Sequence, residues 1–108
     1  MAHDPHLAEL LREALSGQSG IVEKKMFGGI SWMMNGNMLA GVHKDRFMFR
    51  VGKELEPEAH KRPGTMPMDI TGRPMPGLVW VEPDAAIETG LDDWIAFACR
   101  FVGALPPK

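Results

Sequence analysis

A single cysteine, Cys99, stands in the 108-residue chain, which excludes an internal disulfide framework and any zinc site built on several thiolates. No apolar run approaches the roughly 18 residues of a membrane span. The N-terminal MAHDPHLAEL lacks the basic stretch and apolar core of a secretory leader. These absences set the expectation of a cytoplasmic protein with no membrane association. Basic excess is missing too, since 12 Lys+Arg against 14 Asp+Glu leave a formal charge of −2. The positive residues are dispersed, with Lys24/Lys25 and Lys61/Arg62 as the adjacent pairs. That pattern argues against direct nucleic-acid binding, which calls for a clustered basic surface.

Catalytic signatures are also missing. There is no GxSxG, no HExxH and no paired-carboxylate pattern on a credible scaffold. Gly28-Gly29 lacks the spacing of a phosphate loop and precedes a strand rather than a helix, so it reads as a bulge or a close backbone approach. His3 and His6 are i, i+3 neighbours, but neither a cysteine nor the other histidines, His43 and His60, complete a ligand set. No metal, no cofactor and no enzymatic activity are expected. Cys99, between Ile95 and Val102 on a helix, is expected to be a buried, inert thiol.

What remains is ordinary for a globular protein: 44% hydrophobic and 24% charged residues, enough for one domain over residues 1–108 with its own core. Nine methionines are the unusual count, and methionine suits either an irregular core or a permissive interface. Asp4 and Pro5 open a helix over 5–16, where Leu7, Leu10, Leu11, Ala14 and Leu15 form one apolar stripe and Gly17 follows as a stop.

Asn35-Gly36 is a strong hairpin signal. A two-residue turn there pairs Met34 with Asn37, Met33 with Met38 and Trp32 with Leu39. A second even-length turn at 43–46 pairs Val42 with Phe47 and Ala40 with Phe49. Residues that face each other across a ladder share a side of the sheet. The expected core face is therefore Met33, Met38, Ala40, Val42, Phe47, Phe49 and Val51, packed by Leu7, Leu11, Trp94 and Ile95. The opposite face receives Ile30, Trp32, Leu39, Met48 and Arg50. A Trp flanked by Leu and Met is costly to leave wet, so Trp32, Leu39, Met48 and Arg50 form the candidate interface.

Beyond Gly52 the pattern predicts a short helix with Pro57 in its first turn, an extended piece at 66–70, a loop over 71–77 and a strand at 78–82. Thr89 and Asp92 are spaced as a capping box for a closing helix carrying Leu91, Trp94, Ile95, Ala98, Phe101 and Val102. Arg73, held among Gly and Pro residues, and Lys25, beside the Gly-Gly pair, are the candidate anion-binding residues.

Lys25-Met26-Phe27-Gly28-Gly29, the Asn-Gly hairpin, the strand Phe47-Met48-Phe49-Arg50-Val51-Gly52 and Met68-Asp69-Ile70-Thr71-Gly72-Arg73-Pro74-Met75 together resemble the TfoX/Sxy N-terminal domain family. The likeness runs from about residue 7 to 107, which gives the expectation of a stand-alone N-terminal domain. It implies a two-layer α+β fold, a curved antiparallel sheet flanked by N- and C-terminal helices and similar to secretion chaperones. The family takes its name from bacterial regulators of competence genes, in which a C-terminal domain resembling helix-hairpin-helix modules follows. The resemblance supplies no catalytic residues. The expectation is a non-enzymatic regulatory or adaptor domain acting through protein contacts, as a homodimer or with an unidentified protein partner. The alternative is a small-molecule or anion-binding protein or enzyme that uses the Gly-Gly and TGRP loops.

Overall fold

The computed structural model describes residues 5–26, 29–70 and 73–107. The chain opens with helix α1 (Pro5–Ala14), extended by a 3-10 turn (Leu15–Gly17), as the apolar stripe requires. Strands β1 (Ile21–Met26), β2 (Gly29–Met34), β3 (Asn37–His43) and β4 (Arg46–Arg50) follow as consecutive antiparallel neighbours. The short helix α2 (Glu56–Ala59) carries its proline in the first turn. Strands β5 (Thr65–Ile70) and β6 (Arg73–Val81) complete an antiparallel sheet of order β1-β2-β3-β4-β6-β5. Helices α3 (Pro83–Thr89) and α4 (Leu91–Val102) end the fold. This is the expected α+β architecture of a curved antiparallel sheet with helices.

Both predicted turns form. Asn35 and Gly36 have φ of 52° and 86°, the left-handed pair that a two-residue hairpin turn demands. Lys44 bends the next turn at φ 57°, and Val42 faces Phe47 while Ala40 faces Phe49. Gly29 is a close approach, since a Cβ there would collide with the carbonyl oxygen of Val42. Its neighbour Gly28 lies outside the described residues.

The core lies between the sheet and the helices. Ala40, Val42, Phe47, Phe49 and Val51 are buried there against Leu7 and Leu11 of α1 and Trp94 and Ile95 of α4. The assignment of faces in β2 requires correction. After Met33↔Met38 the register slips, and Trp32 faces Ala40 rather than Leu39. Leu39 is the extra residue of a β-bulge, and a one-residue slip turns every side chain beyond it to the other face. Ile30, Trp32 and Met34 therefore enter the core, with Leu39 beside Ala40, whereas Met33 and Met38 leave it.

Three further expectations change. Residues 73–77 belong to β6 rather than to a loop. Gly77 turns its N–H to the Glu56 carboxylate (2.7 Å) and its C=O to the N–H groups of Val51 and Gly52. Pro74 and Pro76 lie beside edge strand β5, where the register is already irregular between Pro67 and Asp69. Helix α3 occupies the stretch after Pro83, where no helix is expected from the sequence. The Thr89–Asp92 capping box does not form, because Thr89 ends α3 and Gly90, at φ 107°, starts α4 without a side-chain cap.

Phe49→Ala and Trp32→Ala each empty a fully enclosed aromatic site, so each is expected to cost about 3–5 kcal/mol. Urea unfolding measures both. A Trp32 variant as stable as the wild type would place that ring back on the surface and remove the bulge.

Candidate functional site

The four candidate interface residues do not share a surface. Trp32 (1% exposed) and Leu39 (0%) lie within the helix-covered core. Met48 is buried on the other side of the sheet. Arg50, half-buried at the end of β4, holds its guanidinium 5.4 Å from the Phe101 ring centroid. The physical reason is the bulge, which moves Trp32 and Leu39 inward and leaves Met48 where parity with Phe47 and Phe49 puts it.

The face without helices has its own apolar cluster, built by strand side chains alone: Met48, Met68, Leu78 and Trp80, with Met38 and Met66 half-buried against them. Cross-strand pairing lines up Lys24, Ser31, Gly41, Met48, Trp80 and Met66 through all six strands. The absence of a side chain at Gly41 lets the Met48 methyl lie within 2.6 Å of where a Cβ would stand, next to the Ser31 hydroxyl. Trp80 is closed off by the Arg46 guanidinium, 4.5 Å from its ring centroid, and by the stacked His43 ring at 5.6 Å. A neighbouring row, Val22–Met33–Met38, runs out to edge strand β1, where Val22 is 55% exposed.

The candidate anion residues are not brought together. Lys25 is an exposed residue of β1, and Arg73 begins β6, with β2, β3 and β4 between the two strands. Thr71 and Gly72, from the same predicted loop, lie outside the described residues. Edge strand β1 is instead tied to α1 by Arg12, whose Nε and Nη2 donate to the two carboxylate oxygens of Glu23 at 2.8 and 3.0 Å, while Nη1 reaches Glu9 at 2.7 Å. The Glu23 contact is the main reason the Arg12 guanidinium holds its proton more tightly than usual.

Sequence reasoning placed Met48 on this face but gave it Ile30, Trp32 and Leu39 as neighbours in place of Ser31, Met33 and Met38. The signal was present in Ile30-Ser31-Trp32, an alternation that favours Ile and Trp on the core side and Ser on the other.

His60, which caps α2, lies 3.2 Å from Glu56 at the start of that helix. His3 lies outside the described residues. Among the described residues no three His, Cys, Asp or Glu side chains come together as metal ligands. Cys99 is half-buried rather than fully enclosed, with Sγ 4.0 Å from the Gln18 side-chain oxygen Oε1. Burial pushes its thiol pKa up, which keeps it protonated and a poor nucleophile at neutral pH.

Residues 13–101 match the family model of the TfoX N-terminal domain, and the chain belongs to that family. No curated protein and no solved structure gave a match.

The raised Cys99 pKa has a signed consequence. Above the ordinary thiol range the unfolded chain releases this proton before the folded chain does, so stability falls as pH rises through that window. Urea midpoints at about pH 7.5 and 9.5 bracket the free-thiol value, and Cys99→Ala is expected to flatten the decline between them. Equal declines in both proteins would show that Cys99 does not contribute to it.

Proposed function

We propose that this member of the TfoX N-terminal domain family, a family linked to competence regulators, is a non-catalytic regulatory or adaptor domain whose partner is a protein chain. The partner is first a second copy of itself. The observation that carries the reading is the row Val22–Met33–Met38, which runs from the methionine cluster to an open sheet edge on the face that the helices leave.

Several physical features support that choice. The helices bury their apolar residues in the core cluster on the other side of the sheet, so the methionine face has only strand side chains to close it. Methionine side chains adapt to a partner at small cost in fit and are enriched in interface cores. An apolar surface is complementary to itself under a two-fold axis, whereas a surface charged with one sign repels its copy. Trp80 supplies a buried aromatic centre, and Arg46 and Lys24 place charge towards the rim.

Light scattering at micromolar concentration tests the reading. The wild-type chain is expected at twice its 11.9 kDa mass, and Val22→Lys or Met33→Lys is expected to return it to the monomer. Both positions lie outside the core, so their unfolding midpoints should stay close to wild type. A monomeric wild type would refute self-association. A dimer unaffected by both substitutions would refute this face as its seat.

A further inference from the structure

Beside the end of β4 the sheet leaves a notch. Strand β4 stops at Arg50, while β6 continues past it towards Arg73. The turn after Gly52 and the last turn of α4 close the sides, enclosing a cavity of about 610 Å³. That volume falls within the range of small-molecule sites. Leu55, Pro76 and Phe101 form its apolar wall, and Arg50, Lys53 and Arg100 line it with positive charge.

Three observations distinguish this cluster from scattered surface cations. Among the described residues none of the three is held in an ion pair. The two arginines are positioned by aromatic faces, Arg50 over Phe101 at 5.4 Å and Arg100 over Phe97 at 5.7 Å. A single carboxylate, Glu54, faces three cations in the lining, although the chain as a whole carries a charge of −2. Glu56 nearby is occupied by the Gly77 N–H and by His60. A helix C-terminus would ordinarily repel an anion. Here the carbonyls of Cys99, Phe101 and Val102 are taken by the N–H groups of Gly103, Ala104 and Leu105.

We propose that this notch is a binding site for a small organic phosphate monoester, with Arg50, Lys53 and Arg100 on the phosphate and Leu55, Pro76 and Phe101 against the uncharged body. Three cations against one carboxylate leave two positive charges. These match the charge of about −1.5 to −2 on a phosphate monoester at neutral pH better than a monocarboxylate. Guanidinium forks suit phosphate oxygens, and the ammonium of Lys53 adds a mobile point charge. The site adds a ligand to the regulatory reading but does not rest on it, because ligand binding and self-association are measured separately.

Titration of the 15N-labelled chain with phenyl phosphate, inorganic phosphate and benzoate tests the proposal. Phenyl phosphate is expected to shift the amides of Gly52, Lys53 and Gly77 saturably, with a Kd on the order of 1 mM or below. It should bind more tightly than either inorganic phosphate or benzoate. Lys53→Gln and Arg100→Gln replace exposed side chains and should preserve the spectrum while weakening binding at least about tenfold each, the loss expected for a charged hydrogen bond. Absence of saturable shifts in the wild type, or an unchanged Kd in both variants, overturns the site. Equal affinity for inorganic phosphate or for benzoate overturns the assigned ligand class.

Discussion

The stack of Phe49 on Trp94 joins the two layers of this fold. The rings lie 5.1 Å apart at an interplanar angle of 14°, and both are fully buried. Phe49 sits on β4, an interior strand between β3 and β6, so fixing it fixes the middle of the sheet. Trp94 lies in the first turn of α4, so the same contact sets where that helix lands. Arg62, from the turn after α2, lays its guanidinium 4.6 Å from the Trp94 ring and 4.3 Å from Phe97, with Asp93 at 3.5 Å. The Trp94 indole nitrogen has no hydrogen-bond partner among the described residues, so ring faces rather than polar contacts hold this side chain. Dispersion and cation–π attraction orient the helix layer.

That anchor explains how much of the fold was legible. Phe47, Phe49, Val42 and Ala40 are tied to each other by a two-residue turn, and parity carried across it correctly. The same reasoning carried across the Asn35-Gly36 hairpin failed, although the turn itself was read correctly. Alternation assumes that no residue is inserted between the turn and the strand end, and Leu39 is such a residue. No property of Leu39 marks it as the bulge. What favours the slip is distributed: it buries Ile30, Trp32, Met34 and Leu39 together and leaves Ser31 and Met33 on the other face. Burying a tryptophan outweighs the one disrupted ladder position. The discomfort of an isolated Trp32 on a solvent-facing sheet was therefore a symptom of the wrong register.

The prolines of β6 illustrate a different limit. Pro74 and Pro76 beside Gly77 have the composition of a loop, and composition alone favours that reading. In the fold they precede Gly77, which directs both its hydrogen-bonding groups away from β5, and they lie beside an irregular edge. Proline in a strand is excluded by the need for ladder donors on both sides. Where the neighbouring strand is the last in the sheet and already bulged, that exclusion weakens. The anion candidates are a similar case: Lys25 and Arg73 stand out by the Gly and Pro residues next to them in the chain, whereas the cations that the fold gathers around one cavity come from β4, the following turn and α4. Sequence distance hides such a cluster, because Arg50 and Arg100 become neighbours only after α4 packs on the sheet.

One structural event accounts for both surfaces to which function is assigned. Strand β4 ends at Arg50, and from there β6 has lost its partner on that side. Glu56 takes the Gly77 N–H that a longer β4 would have bonded, which seats α2 against β6. The space left between that turn and the end of α4 is the cationic notch. Two residues earlier in the same strand, Met48 lies over Gly41, beside the Ser31 hydroxyl, and stands in register with Trp80, forming the middle of the methionine face. A contact made at either surface therefore bears on β4, whose Phe49 is the strand's hold on α4. The two surfaces are chemically dissimilar, one apolar and broad, the other charged and concave, and they suit partners of different kinds. An apolar sheet face selects a protein surface by area and fit, while a few convergent cations select a small anion by charge and geometry.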